Sequence, residues 1–136
     1  MRAVVAFRSG GQDYAVAVER VQRVLGATGL VPLPDPRPGV AGLLRHGGDT
    51  VTVLSPFGAE RGQVLVLDHG GTVVGLLVDE VTGIDRVEDP AVGPAPAGQR
   101  SPLVAGVLNR DPEGEDGTDG MLLLLDLEVL VEGLRR

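Results

Sequence analysis

VLVLDHGGTVVGLLV, residues 64–78, consists of two apolar, β-prone runs that meet at His69-Gly70-Gly71. Valine-rich runs of this length, broken by a glycine pair, read as a hairpin whose tight turn requires positive φ. The same arrangement occurs near the start of the chain. AVVAFR (3–8) and YAVAV (14–18) flank Ser9-Gly10-Gly11-Gln12-Asp13, and the two glycine pairs lie 60 residues apart. The offset persists along the chain, as it does in an internal repeat. Glu19-Arg20-Val21-Gln22-Arg23-Val24 lines up with Asp79-Glu80-Val81-Thr82-Gly83-Ile84, and Pro34 with Pro94. With four extra residues, Val40-Ala41-Gly42-Leu43-Leu44 matches Val104-Ala105-Gly106-Val107-Leu108. Val51-Thr52-Val53-Leu54 then plays the part of Met121-Leu122-Leu123-Leu124-Leu125. One short apolar match means little; four in the same order predict two similar β units of roughly five strands each. Either unit alone would bury too little surface to be stable, so the two must share a hydrophobic seam. The expectation is a single domain over 1–136 with intertwined halves, roughly 1–60 and 61–136. Closing each unit into a small barrel would also remove exposed strand edges.

Composition agrees with a mainly β fold. The 136 residues include 43 % hydrophobic but only 2 % aromatic side chains, with 21 Gly and 10 Pro. The interior must therefore be valine and leucine, and the elements short and separated by turns. Nineteen acidic residues against 12 arginines, with no lysine, give a net charge of −7. Such a chain repels phosphate backbones and lacks rings on which bases could stack, which argues against nucleic-acid binding. No apolar stretch approaches the ~18 residues of a membrane span, and the N-terminal apolar run is too short for a signal peptide. A cytoplasmic protein without direct membrane insertion is expected.

Two segments stand apart from the strands. Val18, Val21, Val24 and Leu25 fall at near-helical spacing and predict a short helix or turn over 18–25. Asp126 can cap a C-terminal helix whose apolar face is Leu127, Leu130, Val131 and Leu134, with Arg135 and Arg136 at its negative pole. PLPDPRPG (32–39) and PAVGPAPAGQRSP (90–102) read as extended connectors.

Chemistry is hard to find. His46 and His69 are the only imidazoles and there is no cysteine, so neither a zinc site nor a thiolate nucleophile is expected. DPEGEDGTD (111–119) is acidic, but the twelfth residue counted from Asp111 is Leu122 rather than the closing glutamate of a calcium loop. It reads as a solvated hairpin tip. Ser9, Ser55 and Ser101 sit in no G-x-S-x-G elbow, and the glycine pairs precede strands rather than helix N-termini. No catalytic residue, metal or cofactor is expected, and the chain is not read as an enzyme.

The order of segments resembles the CheW-like domain family. FRSGGQDYAVAVERVQRVLG (7–26) is similar to the opening of such domains, and VVGLLVDEVTGI (73–84) is the most specific match. VGPAP (92–96), LVAGVL (103–108) and MLLLLDLEVLV (121–131) are similar to the later segments, so the resemblance runs over essentially 4–134. It implies two small SH3-like five-stranded β-barrels sharing a hydrophobic core, short helices including the C-terminal one, and a groove between the barrels. It implies a non-enzymatic adaptor, without cofactor, between the regulatory domain of a CheA-like histidine kinase and the cytoplasmic tip of chemoreceptors. A place at membrane-associated receptor arrays would follow. Positions aligned with Val21, Gly42 and Ile84 are associated with receptor coupling in the family; Arg23, Arg45 and Val81 complete the expected partner surface. The sequence also departs from the pattern. Gly47 stands at the family's arginine position, with Arg45 two residues earlier, and Ser55-Pro56 replaces an aspartate-containing strand. Arg23 occupies a position that is often acidic. These departures raise the alternative of an adaptor in a divergent kinase pathway, for pilus motility or gene regulation, with a non-standard input partner.

Overall fold

The computed structural model describes residues 2–33, 39–59, 61–87, 103–109 and 121–134. Its strands are β1 (Arg2–Ser9), β2 (Gln12–Ala17), β3 (Val21–Gly26), β4 (Val40–His46), β5 (Asp49–Leu54), β6 (Gln63–His69), β7 (Thr72–Val78), β8 (Glu80–Val87), β9 (Val104–Asn109) and β10 (Met121–Leu125). A helix, α1 (Leu127–Leu134), follows. The connector at 90–102, the acidic stretch 111–119 and Arg135-Arg136 lie outside the described residues, as does most of 32–39.

Both predicted hairpins form. Gly10 and Gly11 have φ of 60° and 79°, and Gly70 and Gly71 have 59° and 86°. Positive φ at both central positions is what a two-residue turn matched to strand twist demands. Gly47-Gly48 closes β4–β5 in the same way, at 59° and 87°.

The strands form two five-stranded sheets, ordered β8-β1-β2-β10-β9 and β3-β6-β7-β5-β4. Moving each strand to its partner in the repeat converts one order into the other. The sheets nevertheless do not follow the halves of the sequence. Each takes the opening hairpin of one half and the last three strands of the other. The junctions between halves are the parallel pairs β2/β10 and β5/β7 and the antiparallel pairs β1/β8 and β3/β6. Even the irregularities repeat. Gln22 bulges out of β3 and Thr82 out of β8, while Ala41 bulges from β4 and Ala105 from β9.

This topology explains why VLVL (64–67) does not alternate with polar residues: all four side chains are buried. Leu65 and Leu67 enter a central cluster that joins both sheets, whereas Val64 and Val66 fill the second sheet's own interior. In β1, Val5 and Phe7 face the centre, and Val4 and Ala6 face the first sheet's interior. A strand with two buried faces reads as a continuous apolar run.

The C-terminal helix forms as expected. Asp126 Oδ1 accepts a hydrogen bond from the Val129 N–H at 3.2 Å, and Leu127, Leu130 and Val131 join the central cluster. Residues 18–25 differ from the prediction. Val18–Arg20 is a single 3-10 turn and Val21–Gly26 is strand β3. The bulge at Gln22 is the reason. It sets Val21 opposite Leu67 and Val24 opposite Leu65, so two residues three apart share a face, as they would on a helix.

Candidate partner-binding surface

Strands β3 and β8 each end a sheet, so each has one hydrogen-bonded neighbour within its sheet, β6 and β1 respectively. In a cross-strand pair the two side chains lie on the same face. Val81 is opposite Phe7 and Ile84 opposite Val5, both core-facing residues of β1. Val21 and Val24 stand in the same relation to Leu67 and Leu65 of β6. The two edges are therefore equivalent rims of the shared core. Val21 and Val81 are half-buried and pack against the central cluster. Ile84 is 66 % exposed and Val24 38 %. A buried isoleucine would be ordinary core; one exposed to this extent at the margin of a core presents apolar surface to water.

The rims differ in charge. Arg20 and Arg23 lie along the first, and both are exposed. The equivalents of Glu19 and Arg20 on the second are Asp79 and Glu80, also exposed.

The remaining predicted site residues lie elsewhere. Gly42 and Arg45 are on β4, at the opposite end of the second sheet's order from Val21 and Arg23. Arg45 is exposed beside the β4–β5 turn. Gly42 is buried, with φ of 151°, and a Cβ there would run into the Val31 carbonyl. Val31 and Leu43 exchange backbone hydrogen bonds at 2.9 and 2.8 Å next to it. The glycine is thus required by close backbone approach, a requirement that the motif did not reveal. Val31 itself is 60 % exposed, and sequence reasoning did not single it out.

The crossover from β7 into β8 is tied down from three directions. The Asp79 N–H donates to the Arg8 carbonyl at 3.1 Å, and Asp79 Oδ2 accepts from the Gly10 N–H at 2.9 Å. Gln63 Oε1 accepts from the Val81 N–H at 2.7 Å. Gly62, at φ 132°, passes so close beneath the Val78 and Asp79 carbonyls that only glycine fits. An open cleft of about 260 Å³ lies between β2, β10 and the start of α1, with Arg20, His69, Asp126 and Glu128 among its lining. Among the described residues no three His, Cys, Asp or Glu side chains converge as a metal site would require, and no helix is long and apolar enough to cross a membrane.

Two interleaved β-sheets around a shared core made mostly of valine and leucine, with apolar side chains exposed at the β3 and β8 edges, define a double-sheet β module. The chain belongs to the CheW-like domain family, whose model matches residues 3–135. Its sequence is 30 % identical over 105 residues to the chemotaxis protein CheW of Rhizobium meliloti (strain 1021), covering 70 % of this chain and 67 % of that one. The fold is similar to the crystal structure of the scaffolding protein TtCheW from Thermoanaerobacter tengcongensis, with a TM-score of 0.75 and 18 % identity, covering 93 % of this chain and 84 % of that one.

Proposed function

We propose that this chain is a non-enzymatic adaptor that couples chemoreceptors to a CheA-like histidine kinase in chemotaxis-type signalling. Family membership over residues 3–135 carries this reading, and the exposed apolar rim at Ile84 supports it. The kinase partner is its regulatory domain, met by strand ends and loops. The receptor partner is a helical cytoplasmic tip, whose apolar stripe lies against Val21, Val81 and Ile84, a recurrent mode of helix recognition. Arg23 and Arg45 contribute charge at the margins, and no cofactor takes part. Individual contacts in such assemblies are weak and gain strength by repetition.

The departures at Gly47 and Ser55-Pro56 favour a second reading, in which the kinase is kept and the input is not a standard receptor. Calorimetric titration of the purified chain with a kinase regulatory domain and, separately, with a receptor tip distinguishes the two. Binding to both supports the first reading, binding to the kinase alone supports the second, and heat from neither defeats both. Ile84→Asp should abolish receptor-tip binding while changing stability by less than about 0.5 kcal/mol, because the side chain is mostly in solvent. Collapse of the fold, or undiminished binding, would remove Ile84 from the surface.

A further inference from the structure

The internal repeat compares two rims of common plan, and they are braced differently. On the β3 rim Gln22 Nε2 donates to Asp68 Oδ2 of β6 at 3.4 Å, an exposed bond within one sheet, whereas the β8 rim is tied across to the other sheet. Val81 opens the β8 rim, and its backbone N–H is taken by the side chain of Gln63, which stands on the other sheet. The position equivalent to Gln63 is Ala3, which has no group to reach the N–H of Val21. The equivalent of Asp79 is Glu19. In the turn equivalent to Gly10-Gly11, Gly70-Gly71, the side-chain bond comes from its own hairpin, through Asp68 Oδ1 accepting from the Gly71 N–H at 3.0 Å. The β7–β8 crossover is thus fastened both to the second sheet, through Gln63, and to the β1–β2 turn, through Asp79.

We propose that Gln63 and Asp79 are positioning residues for the β8 rim: they fix the crossover relative to both sheets and so set where Val81 and Ile84 stand for a partner. Resting on the adaptor reading above, this assigns the task of presenting that surface to two polar side chains outside it. Gln63 is the stronger of the two, since its bond is short and partly shielded from water whereas that of Asp79 is exposed. A shielded hydrogen bond resists competition from solvent better than one at the surface.

Gln63→Met keeps the volume and removes the acceptor; Gln63→Glu keeps an acceptor oxygen. The measurements are hydrogen exchange at the Val81 amide and affinity for the receptor tip and the kinase regulatory domain. Gln63→Met should speed Val81 exchange at least tenfold and weaken receptor-tip binding about fivefold, as expected for the loss of one net hydrogen bond. Gln63→Glu should restore both to near the wild-type values. Wild-type affinity in a Gln63→Met chain whose Val81 exchange has risen would overturn the positioning role, as would Gln63→Glu behaving like Gln63→Met. If Gln63→Met does not fold, Asp79→Ala takes its place, with Asp79→Asn as the conservative partner. If the wild type binds neither probe, the adaptor reading fails, and Val81 exchange alone then judges the brace: no change in Gln63→Met defeats it.

Discussion

The β1–β2 and β6–β7 hairpins share a backbone plan and are covered by different means. Phe7 and Tyr14 face the core from one, and Leu67 and Val74 from the other, at equivalent positions. Phe57 closes the first by stacking on Tyr14, with centroids 4.4 Å apart, and tilting against Phe7 at 6.3 Å. Helix α1 packs on β6 and supplies Leu127, Leu130 and Val131 to the same cluster. The divergence begins at one pair of equivalent residues. The Ser55 and Asp126 amides both donate 2.7 Å hydrogen bonds, to the Gly39 and Leu103 carbonyls. Beyond that point, Ser55 Oγ donates to the Ala59 carbonyl at 2.6 Å and holds a turn, whereas Asp126 caps a helix. Backbone requirements, namely paired turn glycines, bulges and junction hydrogen bonds, recur between the halves. The side chains that fill the space are interchangeable so long as the volume is occupied.

The largest test of this comparison removes the equivalent core residues. Phe7 and Leu67 are both essentially inaccessible to water. Phe7→Ala should cost about 4 kcal/mol and Leu67→Ala about 3 kcal/mol in urea denaturation, because the ring leaves the larger cavity. A reversed order would mean that the aliphatic end is the better packed. A smaller effect is expected at the branch point. Asp126→Ala should cost about 1 kcal/mol and diminish the helical circular dichroism, as loss of an N-cap does. Asp126→Ser, which retains a capping oxygen, should cost a few tenths as much. Equal losses in the two variants would show that capping is not what separates the helix from the turn.

The smallest effect at neutral pH concerns Tyr14. Burial pushes its hydroxyl above the ordinary value of 10.0, because the phenolate loses more than the phenol on leaving water. A pKa raised in the native state adds stability that is complete below pH 10 and is lost as pH climbs through the native value. Val74, at the equivalent position, cannot titrate. Between about pH 9 and 11 the melting temperature should therefore fall more steeply in the wild type than in Tyr14→Phe. Parallel curves would show that Tyr14 is not the group responsible.

Much of the plan is legible in the sequence because its signals are local. Glycine pairs mark turns, a 60-residue offset aligns equivalents, and Asp126 before an apolar stripe marks a helix start. The pairing of β1 with β8 and of β3 with β6 is not legible. Nothing in a valine run names its partner, and two apolar faces fit either sheet. The bulge at Gln22 made a strand imitate helical spacing, and the repeated bulge at Thr82 hid the same face on β8. Of the candidate surface, Ile84 and its equivalence to Val24 could be read from the alignment of halves. The exposure of Val31 and the clasp of Gln63 on Val81 could not, since both depend on segments that meet only after folding. Gly42 looked like part of a binding motif, and the structure gives it a backbone reason for being glycine.

The exchange of strands between sheets has a consequence for how the chain is made. Val5 pairs with Ile84, roughly eighty residues later, so a ribosome adding about 5–20 residues per second delivers β8 some 4–16 s after β1. The first hairpin must wait that long with one edge bare, and its other neighbour, β10, emerges later still. During synthesis the newborn chain therefore displays unpaired strand to its surroundings, where a chaperone can shelter it. A neighbouring nascent chain carrying the same hairpin can also take its place, producing a swapped dimer in which β1 meets β8, and β2 meets β10, of the other molecule.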